Sequence, residues 1–334
     1  MRRLVLAAVT ALAAGALLAG CAAPADLDGE AWAAAGAGLP PAPARMPGAT
    51  VTPVVVDTDL GADDLVALAF LLRHPEVEVH ALTIAATGLV GCEAGVDVVA
   101  GLVAGLEAQP VPVACGRETA GAGGRPFPTE WATAAELGSG VPPVAGTAVA
   151  ESAPQLLARL ARDVPGLVLV ALGPMTNVAD LASRQPEDYA RLAGIHAMAG
   201  SVAGPVVDGV AEWNVAADPR SLETVLASPV PVTRVPEDAV PTGTPDLLAA
   251  APVVGRVAAT ADIPAWWDLA AVAALVAPDV GSPEQGVWLL DPSVPGRLVR
   301  SPGGAGAVRV HTSLDAAALE PQYARVFGGA TGGS

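Results

Sequence analysis

The sequence predicts an α/β fold: a single domain with a central, mostly parallel β-sheet flanked by helices. From residue 51 onward, short runs rich in Val, Leu and Ile alternate with segments whose apolar residues recur at helical spacing. Runs that are apolar on both faces are typical of parallel strands, because helices cover both faces of such a sheet. The sequence has no internal repeat and no second block of different composition, so we assign residues 51–330 to one domain.

The predicted elements follow one another in a regular order. Apolar, β-branched runs predict strands, and apolar residues at helical spacing predict helices between them. We expect strands at residues 52–56, 77–84, 111–114, 167–172, 195–198 and 230–235, and helices at 66–73, 96–106, 152–162 and 221–226. Two long irregular stretches, 116–146 and 200–210, interrupt this order, and stretches of that length are typical of lids or binding loops.

The composition limits the function classes. The chain has 334 residues, of which 52% are hydrophobic, so it has enough apolar surface to offset the entropy cost of folding. It carries 34 acidic residues against 17 basic ones, all arginine, for a net charge of −17. Such a surface repels phosphate backbones, which argues against binding of a nucleic-acid polymer.

The N-terminus has the features of a processed export signal. Residues 1–20 combine two arginines with an apolar run that is short for a membrane span. The stretch Leu18-Ala19-Gly20-Cys21 resembles the lipobox of bacterial lipoproteins, with Cys21 as the lipidated residue; the alternative is an ordinary secretory signal. Residues 21–50, rich in Ala, Pro and Gly, are expected to form a tether. This interpretation places the protein outside the cytoplasm, lipid-anchored to the cell membrane of a bacterium.

The two remaining cysteines would then lie in an oxidising compartment. Cys92 and Cys115 can pair there as a disulfide. Two separate buried thiols are an equally good reading, because the sequence does not give the distance between the two residues.

Four aspartates in eight residues follow the first predicted strand. The segment V-V-V-D-T-D-L-G-A-D-D-L-V-A-L places Asp57 at the strand end, Asp59 in a turn, and Asp63 and Asp64 at the start of a helix. Capping of that helix would explain Asp63 alone. Two such charges 4 Å apart repel by roughly 4 kcal/mol at an effective dielectric of 20. A shared divalent cation would remove this penalty, and all-oxygen ligands favour calcium, with magnesium less favoured, over zinc.

Two known motifs with a similar string fit less well. An EF-hand loop needs glycine at its sixth position and an acid at its twelfth, where this chain has Ala62 and Leu68. A haloacid-dehalogenase phosphatase typically needs a downstream lysine, and this chain has no lysine.

The segment resembles the D-x-D-x-G-x-D-D signature of the nucleoside hydrolases of the inosine-uridine-preferring type. Three further blocks are similar to that family and occur in the family's order: A-L-G-P-M-T-N at 171–177, A-E-W-N at 211–214 followed by Asp218-Pro219, and W-W-D-L-A at 266–270. Taken alone, Asn177 reads as a cap or turn residue, and Asp218 as the cap of a helix whose first residue is proline. The resemblance implies a Rossmann-like sheet over residues 52–330.

The resemblance also implies residue roles. Calcium would be bound by Asp59, Asp64, Asp268 and the main-chain oxygen of Leu172, with Asp59 also the general base on the attacking water. Asp57 would contact the residues that bind the metal rather than the metal itself. The substrate-binding residues would be Asp63 and Asn214 on the ribose hydroxyls, Glu212 on the 5′ side, and Trp267 on the aglycone. Trp213 and Trp266 are aromatic neighbours in the same blocks, and the alternative for all three tryptophans is core packing.

The chain departs from the family pattern on the base side. Gly88 stands near the position of a family asparagine, Val206 stands where a second asparagine is usual, and Trp267 replaces a histidine before the last aspartate. The expected function is calcium-dependent hydrolysis of the N-glycosidic bond of a ribonucleoside or related riboside, for nucleoside salvage. The alternative is a catalytically impaired surface lipoprotein that binds nucleosides. The preferred base stays open, and a homo-oligomer is compatible with the sequence.

Overall fold

The computed structural model describes residues 42–302 and 306–328. The predicted signal peptide, the lipidation residue Cys21 and most of the predicted tether lie outside these residues. Within them, every helix is too short or too polar to cross a membrane.

The centre of the molecule is one eight-stranded sheet with the strand order β3-β2-β1-β4-β5-β6-β10-β7. All neighbouring pairs are parallel except β10 and β7, and β8 and β9 form a separate antiparallel pair. The strands are β1 (Thr52–Thr58), β2 (Val77–Ile84), β3 (Val113–Cys115), β4 (Val168–Ala171), β5 (Gly194–Met198), β6 (Val232–Val235), β7 (Gly281–Gly286), β8 (Trp288–Leu290), β9 (Leu298–Arg300) and β10 (Val308–Leu314). The mostly parallel α/β fold and the six strands expected from the sequence are confirmed.

Helices connect and cover these strands. They are α1 (Ala62–Arg73), α2 (Cys92–Gly105), α3 (Thr129–Glu136), α4 (Ala153–Asp163), α5 (Thr176–Arg184), α6 (Pro186–Tyr189), α7 (Trp213–Ala217), α8 (Pro219–Leu226), α9 (Asp246–Ala250), α10 (Val254–Thr260), α11 (Trp267–Val276) and α12 (Ala316–Phe327). The expectation of a wholly irregular stretch at 116–146 is wrong, because α3 lies within it. Only Ala135 of α3 is buried, so the helix has no wide apolar stripe for sequence reading to detect.

The sheet has a topological switch point between β1 and β4. The chain builds outward from β1 through β2 to β3, then returns to the other side of β1 and continues from β4 through β5 to β6. In such a sheet the two halves diverge at the switch point and leave a crevice at the carboxyl ends of the central strands. Asp57 pairs with Ala171 in register at this edge, so the aspartate segment and the A-L-G-P-M-T-N block meet there.

Apolar residues fill both faces of the sheet. On one face the core includes α1 and α11, whose Phe70, Leu68 and Leu269 are fully buried. On the other face the core includes α4 and α5, with Leu157 and Leu181 equally buried. Each such side chain stabilises the fold by about 1.5–3 kcal/mol relative to its exposed state. Packing on both faces therefore fixes the central strands in place, together with the residues that directly follow them.

Cys92 and Cys115, whose pairing the sequence leaves open, form a disulfide. A disulfide links Cys92, the first residue of α2, to Cys115, the last residue of β3, with their Cα atoms 5.6 Å apart. The alternative of two separate thiols is therefore wrong.

Candidate functional site

The aspartate segment turns back on itself directly after β1. Leu60 adopts a positive φ of 65°, which is rare for a bulky residue, and its backbone N–H donates to Thr58 Oγ1 at 3.1 Å. The Leu60 side chain is fully buried, so core packing holds this strained residue in place. The reversal brings Asp63 and Asp64, in the first turn of α1, back beside the end of the strand.

Three carboxylates converge at this point. Oxygens of Asp63, Asp64 and Asp268 all lie within 4.8 Å of one another, although Asp268 is 205 residues distant from Asp63 in the sequence. Asp268 is the second residue of α11, and its backbone N–H donates to Asp63 Oδ2 at 3.4 Å. The Oδ1 atom of Asp268 is buried without a hydrogen-bond donor. A buried, unpartnered carboxylate oxygen beside two other carboxylates is an arrangement that a cation would satisfy.

Asp64 is fixed by its surroundings. Its Oδ1 accepts hydrogen bonds from Thr58 Oγ1 and from the backbone N–H of Asp59. Its Oδ2 accepts from the backbone N–H of Gly61, the residue before α1, at 3.1 Å. The capping contact considered for Asp63 therefore belongs to Asp64. It satisfies one of the N–H groups that the start of a helix leaves free.

Asp59 lies beside this group rather than within it. Its carboxylate packs between Gly88 and Gly173, where an added Cβ would overlap Asp59 atoms, and its Oδ2 accepts from the backbone N–H of Leu89 at 3.2 Å. Burial raises the pKa of Asp59 well above its usual range, and repulsion by Asp64 and Asp63 raises it further. The glycine at position 88, which departs from the family pattern, is thus the residue that leaves room for this carboxylate.

Asp57 stands behind the other carboxylates. Its Oδ1 accepts from Thr83 Oγ1 at 2.5 Å and from Asn177 Nδ2 at 2.7 Å, while its Oδ2 is buried without a donor. Burial raises the pKa of Asp57 to about 7, against the lowering effect of these hydrogen bonds. The expectation that Asn177 is a cap or turn residue is wrong: its side chain points to the sheet, where it also donates to the Ile84 carbonyl at 3.0 Å.

The carboxylates destabilise one another in their ionised form. Burial is the main cause that raises the pKa of Asp63 to about 7 and that of Asp268 well above its usual range, and repulsion by Asp64 adds to both shifts. The donor atoms are oxygens only. Hard cations such as calcium and magnesium prefer such a set, so the residues fit a cation of this type.

Two further predicted residues meet at the end of β4. Asn214, the second residue of α7, donates from Nδ2 to the main-chain oxygen of Leu172 at 2.7 Å. A carbonyl oxygen has a second lone pair, so this hydrogen bond leaves Leu172 able to accept one more partner. The A-L-G-P-M-T-N and A-E-W-N blocks are therefore in direct contact.

Glu212 accepts hydrogen bonds from the backbone. Its buried carboxylate accepts from the N–H groups of Asn214 at 2.5 Å, Gly200 at 2.8 Å and Val215 at 3.0 Å. It therefore caps α7 and holds the start of the 200–210 loop. Burial raises its pKa. In this arrangement Glu212 orients Asn214 rather than presenting a free carboxylate.

The tryptophans divide into two groups. Trp266 is buried and donates from Nε1 to Thr244 Oγ1 at 3.0 Å, so it packs in the core, and Trp267 is half-buried against the same core. Trp213 instead contacts Phe127 and Trp131, with ring centroids 5.7 Å and 5.6 Å apart. We call Phe127, Trp131 and Trp213 the aromatic wall.

The aromatic wall was missed in part by sequence reasoning. Phe127 and Trp131 belong to the 116–146 stretch, which carries no motif. Asp218 joins this stretch to the start of α5: besides capping α8 through Ser221, as expected, it accepts from Thr176 Oγ1 at 2.9 Å and from Arg117 Nη2 at 3.4 Å. A lone Asp before Pro gives no sequence signal for these longer-range contacts.

The four histidines lie elsewhere. His196 is buried in β5 with its Nε2 2.8 Å from the Ala271 carbonyl, and burial lowers its pKa to about 4. His74 follows α1, His80 lies in β2, and His311 lies in β10. Val206, at the other position that departs from the family, is exposed in the 200–210 loop.

Comparisons with known proteins identify the family of this chain. Residues 54–317 match the family model for the inosine-uridine preferring nucleoside hydrolases. The pyrimidine-specific ribonucleoside hydrolase RihA of Salmonella paratyphi B is 32% identical over 193 residues, and that of Klebsiella pneumoniae subsp. pneumoniae is 33% identical over 188. Both matches cover 54% of this chain and 58% of the relative, so the chain aligns with little more than half the length of these relatives.

Solved structures share the fold. The purine-preferring ribonucleoside hydrolase of Gardnerella vaginalis superposes with a TM-score of 0.71 at 22% identity, covering 82% of this chain and 97% of that one. The inosine-uridine preferring nucleoside hydrolase of Bacillus anthracis gives a TM-score of 0.68 at 21% identity, with coverage of 82% and 98%. With the family model matching well over half of its residues, this chain belongs to the inosine-uridine preferring nucleoside hydrolase family.

Proposed function

We propose that this protein hydrolyses the N-glycosidic bond of ribonucleosides, or of a related riboside, to free base and ribose, and that it depends on calcium. The observation that carries the proposal is the convergence of Asp63, Asp64 and Asp268, with the carboxylate of Asp59 beside them. The relatives are named as hydrolases of pyrimidine and of purine ribonucleosides. Those names differ in the preferred base, so they give no base preference for this chain.

Calcium would be held by Asp59, Asp64, Asp268 and the main-chain oxygen of Leu172. When bound, it would acidify a water molecule and offset the repulsion among the carboxylates. Magnesium is the less favoured alternative, because it requires a near-ideal octahedral geometry.

The protein's own residues would carry the remaining steps. Asp59 would take a proton from the attacking water, because its carboxylate lies beside the residues that would hold the ion. Asp63 and Asn214 would hold the ribose hydroxyls, and Glu212 would keep Asn214 in place. The concentrated negative charge would stabilise the positive charge that develops on the ribose ring in an oxocarbenium-like transition state.

A second candidate function is a surface protein that binds nucleosides without turning them over. It is favoured by the base side of the site, where Trp267 replaces the family's histidine and each of the chain's four histidines lies elsewhere. Histidine would therefore not protonate the leaving base in this protein. The intact set of carboxylates favours hydrolysis.

We further propose that the protein works outside the cytoplasm on a lipid anchor at Cys21 and salvages nucleosides there. The Cys92–Cys115 disulfide supports an oxidising compartment. Labelling of the expressed protein with a radioactive fatty acid, with Cys21→Ala as the comparison, tests this. Label retained in Cys21→Ala, or absent from both proteins, would contradict it.

The catalytic proposal is tested by incubating the protein with a panel of purine, pyrimidine and pyridine ribosides and measuring the reducing sugar released. We expect release that a calcium chelator abolishes and added calcium restores. Asp59→Asn should lower kcat by about 10²- to 10⁴-fold, the range for loss of a general base. Asp163→Asn is the matched control, because that aspartate is exposed at the end of α4.

The outcomes separate the two candidate functions. Release of sugar that persists in Asp59→Asn would remove this residue from the mechanism. Calcium-dependent binding of a riboside, with no release from any member of the panel, would replace hydrolysis by the binding function.

A further inference from the structure

The Cys92–Cys115 disulfide connects two loops that both contact the carboxylate site. Cys92 begins α2, and Gly91 before it provides no side-chain cap. Cys115 ends β3, the edge strand of this half of the sheet. The covalent bond is therefore a direct link between an uncapped helix start and a strand end, next to the ends of β1 and β2.

The first loop runs from the end of β2 to Gly91 and reaches Asp59. Leu89 donates its backbone N–H to Asp59 Oδ2 at 3.2 Å, only three residues before Cys92. Gly88, whose N–H donates to the Ala85 carbonyl at 2.8 Å, packs directly on the Asp59 side chain. The position of this loop therefore determines where the Asp59 carboxylate points.

The second loop begins immediately after Cys115 and reaches Asp57. Gly116 donates its backbone N–H to the Ile84 carbonyl at 3.0 Å and lies so close to the Asn177 amide that a Cβ there would overlap it. Asn177 in turn donates to Asp57 Oδ1 at 2.7 Å. Displacement of Gly116 would release the side chain that holds Asp57.

We propose that the Cys92–Cys115 disulfide is a positioning element of the carboxylate site. It holds the Leu89 N–H on Asp59 and Gly116 against Asn177, so that both aspartates keep the orientation that a cation requires. Nothing in the reaction needs the bond to open. Its loss loosens the two loops and weakens calcium binding. The calcium part of this inference rests on the proposed function, whereas the effect on the loops does not.

The first measurement follows amide hydrogen exchange of residues 86–91 by mass spectrometry in metal-free protein. We compare the oxidised protein with Cys92→Ala/Cys115→Ala and expect the Leu89 amide to exchange at least about tenfold faster in the variant. The second measurement is calcium affinity by titration calorimetry, with calcium alone as the probe. The loss of groups that orient metal ligands typically weakens binding by 10- to 100-fold, and we expect a value of about tenfold.

The matched control removes a stabilising contact at the opposite end of the sheet. Arg325 Nη1 pairs with Glu76 Oε2 at 2.9 Å, just before β2 begins. Arg325→Met should lower the Tm while leaving calcium affinity and exchange at 86–91 unchanged. A purely structural disulfide would give the same result as this control.

If the double variant does not fold, the oxidised protein is reduced while folded. Dithiothreitol converts the disulfide to two thiols and is itself oxidised to its cyclic disulfide, and alkylation with iodoacetamide confirms the two thiols by mass. Unchanged exchange at 86–91 after the bond is lost would overturn the positioning role. Faster exchange at 86–91, in a protein that binds no calcium even when oxidised, would leave that role standing and reject calcium as the metal.

Discussion

The carboxylates and the aromatic wall differ in what holds them in place. Asp59 and Asp268 are each 2% exposed, at the ends of elements that the central sheet and its two cores fix in place. Trp131 is 45% exposed, on a short helix within a long connection, and packs on Trp213 at the start of another short helix. The carboxylates form a buried cluster of charged groups, and the aromatic wall is a partly exposed group of rings.

We expect the buried carboxylates to tolerate little substitution and the aromatic wall to tolerate more. Burial of the carboxylates concentrates negative charge where a cation and a ribose ring would sit, and any movement there changes the charge balance. The aromatic wall rests on connections that tolerate substitution, since loops change more easily than the elements they join. We expect relatives with different substrates to differ in the residues of the aromatic wall.

The largest expected effect on calcium affinity follows from neutralising Asp268. Asp268→Asn keeps the shape but removes one charge from the converging carboxylates, and we expect calcium affinity to fall on the order of 10²-fold. Without metal, the Tm should rise, because an unpartnered buried carboxylate is replaced by a neutral amide. Calorimetric titration and thermal unfolding check both effects, with the exposed Asp262→Asn as control. Equal calcium affinity in the variant and the parent would mean that the cation is held elsewhere.

A smaller effect on calcium affinity is expected from a change of pH. The pKa of Asp63 is raised to about 7 from an ordinary value of 3.8, so below pH 7 the folded protein holds protons that calcium must displace. Calcium affinity should therefore fall as pH falls, by about tenfold per pH unit for each proton displaced. In metal-free protein the same carboxylates bind more protons when folded than when unfolded, so their contribution to stability decreases as pH rises from about 4 to 7.

Calcium titrations at pH 5.5, 6.5 and 7.5 measure this dependence. His196 acts in the opposite direction on stability, because burial lowers its pKa to about 4 and its contribution is lost as pH falls below the ordinary value of 6.5. Thermal unfolding of His196→Gln separates the two contributions. A calcium affinity that is the same at all three pH values would contradict the raised pKa of Asp63.

The smallest effect is expected at the aromatic wall. Trp131→Ala removes one ring, and aromatic contacts of this kind contribute about 0.5–1.5 kcal/mol, which corresponds to a two- to tenfold change. We expect KM for nucleosides to rise by that factor while calcium affinity stays unchanged. Leu137→Ala, at the exposed C-terminal end of the same helix, is the matched control. If KM is unchanged and only the Tm falls, the wall is a packing element and not part of the substrate site.

Much of the fold follows from local sequence patterns. The apolar runs that predict β1, β2, β4, β5 and β6 are strands in the structure, because the apolar pattern of a strand is a local property of the sequence. The helix α3 was not predicted, since its sequence has one buried residue and no apolar stripe. The partner of Asn177 was also missed, because Asp57 lies 120 residues away and only the sheet brings the two together.

Local sequence patterns are sufficient to predict the parallel sheet, the position of Asp57, Asp59, Asp63 and Asp64 after its first strand, and the resemblance to nucleoside hydrolases. These depend on spacing within short segments. Three features came from the tertiary structure only: Glu212 caps a helix, Phe127 and Trp131 pack on Trp213, and Cys92 is bonded to Cys115. The physical reason is that contacts between distant segments depend on the packing of the whole domain, and no local period encodes them.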